Sequence, residues 1–135
     1  MPSPAYMNLL LLSFVAGIFF CRCGLASTTP DTTEKYHWCN KQLLQEKSNE
    51  AHQIFELLGY AVDNTARFGY NSRSTFYKYV ARASCRTPMS ADDCTDCLDY
   101  ADNMLYEICG FANGGQITLA DCRLRFEQYE FDDNW

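Results

Sequence analysis

The chain has 135 residues, enough for one domain, and its 47% hydrophobic and 15% aromatic content supplies a core, which argues against a disordered protein. A formal net charge of −6 argues against a surface built for nucleic acid or anionic membranes, and against the cationic route by which short basic peptides kill cells.

The first segment, MPSPAYMNLLLLSFVAGIFFCRCGLASTTP, holds an uncharged apolar run from Met7 to Phe20 that Arg22 ends. It is short for a membrane span and the right length for the centre of a secretory signal, with a small-x-small cleavage site at Gly24-Leu25-Ala26. Residues 1–26 are therefore expected to be a signal peptide, and residues 27–135 a single secreted domain with no membrane anchor. No Asn-x-Ser/Thr sequon occurs, so N-glycosylation of the protein itself is not expected.

After a polar leader, YHWCN (Tyr36–Asn40) reads as a short edge strand. From Ser48 to Thr65 the residues Ala51, Ile54, Phe55, Leu58, Ala61 and Val62 recur at helical spacing, with Gly59 weakening the pattern. DNTARFGYNSRS reads as a loop, and TFYKYVARASC (Thr75–Cys85) as one strand rich in aromatic and β-branched side chains. Ser90-x-x-Asp93 is a capping-box variant that opens a second helix running to about Ile108. Cys94, Cys97, Leu98, Ala101, Leu105 and Ile108 share its inward face, while Asp92, Asp93, Asp96, Asp99 and Asp102 fall mostly on the outer face and first turns. Asn113-Gly114-Gly115 is a turn signal. In QITLADCRLRFEQYEF the apolar alternation slips from odd to even positions, and a bulge or break near Asp121 restores a common buried face. Gln116, Thr118, Arg123, Arg125 and Glu127 then turn outward. Two helices and several strands without β-α-β repetition predict an α+β fold, with the helices packed on one antiparallel sheet.

Cleavage near Ala26 would remove Cys21 and Cys23 and leave six cysteines: Cys39, Cys85, Cys94, Cys97, Cys109 and Cys122. Cys94-x-x-Cys97 resembles half a zinc site or a redox dithiol, but an even count in an oxidising compartment favours structural disulfides. Six thiols can pair in about fifteen ways, and spacing alone does not choose among them. His37 and His52 have no second ligand at metal-binding spacing. No Ser/His/Asp set, metal motif or phosphate loop points to an enzyme or to a cofactor.

The spacing C-x8-C-x2-C at Cys85, Cys94 and Cys97, with YHWCN before it and LADCRLRFEQYEF after it, resembles the plant ginkbilobin-type or stress-antifungal domain over Tyr36 to Phe131. The resemblance implies two helices over a sheet of about five strands and three disulfides, Cys39–Cys109, Cys85–Cys94 and Cys97–Cys122. It also implies secretion to the apoplast. Single-domain secreted members of this family resemble a mannose-binding antifungal lectin whose ligands would be mannose-containing glycans such as fungal mannan. The sugar-binding positions fall on Asn40, Gln116 and Glu127, and at Gln116 the family lectin has Arg. An amide and a carboxylate can bracket two sugar hydroxyls, since hydroxyls both donate and accept. The Gln removes a charge-assisted bond, which Arg123 or Arg125 on the same polar face could replace. The competing expectation is an extracellular protein-interaction module whose sugar site has decayed and whose partner is another protein.

Overall fold

The computed structural model describes residues 29–132; the expected signal peptide, its cleavage site and Cys21 and Cys23 lie outside them. Seven elements follow in order: β1 (Glu34–Cys39), α1 (Asn49–Thr65), β2 (Asn71–Phe76), β3 (Tyr79–Cys85), α2 (Ala91–Cys109), β4 (Gly115–Leu119) and β5 (Cys122–Glu127). All strand pairs are antiparallel, in the order β1-β4-β5-β3-β2. The architecture is the expected one, two helices on a single five-stranded sheet. No helix among the described residues is long and apolar enough to cross a membrane.

Each helix starts at a serine cap. Ser48 Oγ accepts from the Ala51 amide at 3.1 Å and Ser90 Oγ from the Asp93 amide at 3.0 Å, which satisfies donors that have no partner inside the helix. Gly59 does not interrupt α1, because buried Leu57, Leu58, Ala61 and Val62 on either side pin that turn to the core. Phe55, expected inward, is exposed, and Leu57 is buried in the core. Ile108, expected inward on α2, is only partly buried, and Cys109 closes that face.

The strand boundaries depart from expectation in one region. Asn71–Ser74, read as loop, begins β2, and the segment read as one strand from Thr75 folds back at Tyr77-Lys78 into a hairpin. Tyr77 takes a positive φ of 52° without the Gly or Asn that signals such a turn. The slip in alternation near Asp121 is a true break, since β4 and β5 form a hairpin rather than one bulged strand.

The six cysteines in the described residues form the implied set, Cys39–Cys109, Cys85–Cys94 and Cys97–Cys122. Cys94 and Cys97 thus bond to different partners, and both tie α2 to the sheet. Between helices and sheet lies one core, in which Ile54, Leu58 and Val62 of α1 and Leu98 and Leu105 of α2 join Ala81, Ala83, Ile117, Leu119, Leu124 and Phe126. Tyr79 is fully buried in it, donates its hydroxyl to Glu50 Oε1 at 2.9 Å and accepts from Gln128 Nε2 at 2.9 Å. Burial pushes that phenol up to about 12.

Candidate functional site

Directly paired residues in adjacent antiparallel strands point to the same side of a sheet. The helix side takes Ile117, Leu119, Leu124 and Phe126, so Trp38, Gln116, Arg125, Arg82 and Arg73, one from each strand, form a row across the open side. Gln116 pairs with Trp38 on one flank and with Arg125 on the other.

At one end of this row the chain is drawn tightly together. The Cys39–Cys109 bridge anchors the end of β1 to the end of α2, and the Asn40 amide donates to the Gly114 carbonyl at 2.8 Å. Asn40 Nδ2 donates to Glu127 Oε2 at 3.3 Å. Arg125 Nε and Nη2 both lie 3.3 Å from Glu127 Oε1, so one carboxylate receives the amide on one oxygen and the guanidinium on the other. Glycine is required at the turn for closeness rather than for an unusual dihedral. A Cβ on Gly114 would stand 2.2 Å from Asn40 Nδ2 and 2.5 Å from Glu127 Oε2. Gly115 is close-packed too, though less severely, with the Trp38 carbonyl at 3.1 Å from such an atom.

The structure therefore brings Asn40 and Glu127 into contact and sets Gln116 one strand from Glu127, beside Arg125. One expectation needs correction. Glu127 lies on the open side but its side chain is 0% exposed, because the Gly114 turn, Asn40 and Arg125 enclose it. Its carboxylate acts on the two neighbours it bonds, while Asn40, Gln116 and Arg125 are only partly buried and Trp38 is 44% exposed. Together they present an indole face, two amides and a guanidinium, a set suited to a polyol: the ring stacks on apolar C–H faces and the polar groups donate to and accept from hydroxyls. Asn113 is 5% exposed and its Oδ1 has no hydrogen-bond partner, which leaves a buried acceptor in the turn beside Gly114.

Sequence reasoning named Arg125 only as a possible substitute and passed over Trp38 and Gly114 as site residues. The signal for the first two was period-two spacing, Trp38 two residues before Asn40 and Arg125 two before Glu127. Gly114 was read as a turn former, and nothing in Asn113-Gly114-Gly115 says which backbone will approach it.

His37 and His52 each bond a glutamate on their own element, His37 Nδ1 with Glu34 Oε1 at 2.6 Å and His52 Nε2 with Glu56 Oε1 at 3.1 Å. Among the described residues no group of three or more His, Cys, Asp or Glu side chains could hold a metal ion.

Comparison with known proteins agrees with this architecture. The family described as salt stress response/antifungal matches residues 20–129. The antifungal protein ginkbilobin-2 of Ginkgo biloba is 31% identical over 102 residues, covering 69% of this chain and 74% of the relative. An antifungal ginkbilobin-like protein of Picea abies is 29% identical over 111 residues, 76% of this chain and 99% of the relative. Among solved structures, the tandem DUF26 ectodomains of the Arabidopsis thaliana cysteine-rich receptor-like proteins PDLP8 and PDLP5 share the fold, at TM-scores of 0.66 and 0.67 with 23% and 16% identity. Each alignment covers 73% of this chain, which spans about half of the tandem protein, 45% and 51% respectively. With a family match over most of its length and a relative above 30% identity, the chain belongs to the salt stress response/antifungal family.

Proposed function

We propose that the protein is a secreted, non-enzymatic lectin that acts in defence by binding mannose-containing glycans of fungal walls at the cluster of Asn40, Gln116 and Arg125. The observation that carries the reading is the pairing of Gln116 with Arg125, whose guanidinium is held on Glu127. A cation absent at position 116 is supplied from the facing strand. Glu127 braces Asn40 and Arg125 from beneath rather than meeting the sugar, and Trp38 offers a stacking face beside Gln116. Antifungal action is named for the Ginkgo and Picea relatives, and the mannose preference comes from the family resemblance. The acidic charge of the chain is compatible with neutral glycans.

Calorimetric titration of the oxidised protein with mannose and yeast mannan tests this. Saturable heat is expected, abolished by Asn40→Ala and weakened about tenfold or more by Arg125→Ala, the loss of one charge-assisted hydrogen bond. A correctly disulfide-bonded sample that gives no heat overturns it.

A second reading, an extracellular protein-interaction module without sugar binding, draws on a different surface. Phe55, Tyr106 and Phe111 cluster with ring centroids 5.4 to 6.3 Å apart beside a cleft between the helices, Phe111 edge to face with each of the other two, and Phe55 and Tyr106 are exposed. Retention of a protein partner by Asn40→Ala, together with its loss on Tyr106→Ala, would favour that reading.

A further inference from the structure

Three arginines stand side by side across neighbouring strands on the open side of the sheet: Arg125 pairs with Arg82, and Arg82 with Arg73. Like charges placed directly opposite in a sheet repel, so this row opposes stability in a chain that is otherwise acidic. Arg82 adds a buried Nε with no hydrogen-bond partner. Each arginine of the row has a carboxylate beside it, Glu127 for Arg125, Glu130 for Arg73 and Asp132 for Arg82, and two of these three come from the segment after β5 rather than from the sheet.

The segment after β5 lies on the row. Glu130 pairs with Arg73, whose Nε donates to it at 3.2 Å, and Asp132 Oδ1 is 3.8 Å from Arg82 Nη2. Between them Phe131 is buried, with the Arg125 guanidinium 4.1 Å and that of Arg82 5.7 Å from its ring centroid. The protein's own tail thus lays carboxylate, apolar ring and carboxylate along the arginines. Its outer end is loosely held, since Asp132 is almost fully exposed and its distance to Arg82 is near the limit of an ion pair, and the Arg73–Glu130 pair is itself open to solvent.

We propose that the Arg82–Arg73 end of the row, next to the Asn40–Glu127 cluster and beyond Arg125, is a second binding site for a polyuronate: an extended glycan that carries one carboxylate per sugar ring. The tail occupies the site as an intramolecular competitor. The ligand has the tail's chemistry, carboxylates at regular intervals separated by ring faces that pack on guanidinium planes as Phe131 does. Carboxylate oxygens take up the two-pronged donor geometry of Arg82 and Arg73. The net charge of −6 disfavours nucleic acid as the occupant, because a phosphate backbone demands a basic surface well beyond this row.

The test is titration of the oxidised protein with a defined oligogalacturonate, with its fully methyl-esterified form, and with polyglutamate of matched charge. Glu130→Gln/Asp132→Asn, which alters only the tail, is expected to tighten oligogalacturonate binding about tenfold. Arg73→Ala/Arg82→Ala is expected to weaken it at least tenfold while mannan heat remains, and added salt should weaken the wild type. The ester should not bind. Absence of binding even in the tail variant, indifference to the arginine substitutions, or equal affinity for polyglutamate would each overturn the proposal. Because Asn40→Ala reports only on the mannose site, failure of one site is distinguishable from failure of the other.

Discussion

At the scale of single residues, the polar cluster depends on a side chain that is not there. Gly114 lets the Asn40 amide and the Glu127 carboxylate meet where any Cβ would intrude, and the atoms it would strike belong to a cluster tied to neighbouring strands. Gly114→Ala is therefore expected to destabilise the fold by about 1–3 kcal/mol, the usual cost of overpacking, and to weaken mannan binding more than Asp99→Asn does on the far side of the molecule. Thermal melts and calorimetry on the two variants measure this. Equal behaviour of the pair would mean that the turn is slack. Arg125 illustrates what a sequence can and cannot convey here. Its place on the polar face follows from alternation, but its pairing with Gln116 depends on the hairpin register, which the slip at Asp121 hides.

At the scale of elements, the helices were legible because caps and apolar spacing agree. Ser90 caps α2 as its spacing to Asp93 implies, α1 begins where the apolar spacing begins, with Ser48 as its cap, and the inward face of α2 holds from Cys94 to Leu105. The β2–β3 hairpin was not legible, since Phe76, Tyr77, Lys78 and Tyr79 carry strand-like composition straight through a turn. The acids of α2 are expected mostly on its outer face and first turns, and Asp102 departs from that. It lines the cleft between the helices, where burial first and Asp99 second push its carboxyl up to about 6 from 3.8. A raised value means that the folded state keeps a proton the unfolded chain has released. The associated stability is fully present below pH 3.8 and is lost as the pH rises through 6. Asp102→Asn is expected to be more stable than wild type at pH 8, by on the order of 2 kcal/mol, with the advantage shrinking to nothing near pH 4. Chemical denaturation of both proteins across that range checks the sign. An advantage that is flat with pH would show that Asp102 titrates normally. Asp31 and Glu50 act in the opposite sense, both held low by hydrogen bonds, from Thr33 and from Lys78 and Tyr79 respectively, so only the difference between variant and wild type isolates Asp102.

At the scale of the whole molecule, the three disulfides among the described residues all tie α2 to the sheet, and they close loops of very different length. The sequence separations are 70 for Cys39–Cys109, 25 for Cys97–Cys122 and 9 for Cys85–Cys94. Restriction of the unfolded chain then predicts contributions of roughly 4.4, 3.5 and 2.6 kcal/mol in that order. Paired Cys→Ala variants should melt in the reverse order, with removal of Cys39–Cys109 the most damaging, and that bridge also anchors Asn40. A ranking led by Cys85–Cys94 would mean that folded-state packing around it outweighs chain entropy. The number and parity of the cysteines made disulfides legible from sequence, whereas their pairing required the family pattern, because spacing left every connectivity open. The same division applies to the site. Asn40, Gln116 and Glu127 came from the pattern, but the burial of Glu127, on which the proposed contacting role of Arg125 rests, depends on how the Gly114 turn closes over the sheet.

The measurement that tests the central claim most directly is an NMR titration of the isotopically labelled, oxidised protein with a mannose oligosaccharide, following side-chain signals. The account predicts saturable shifts of the Asn40 and Gln116 amides, the Arg125 Nε–H and the Trp38 indole N–H, with the helix signals of Phe55 and Tyr106 unmoved. Shifts confined to the helix side, or none at all from a folded sample, would contradict it.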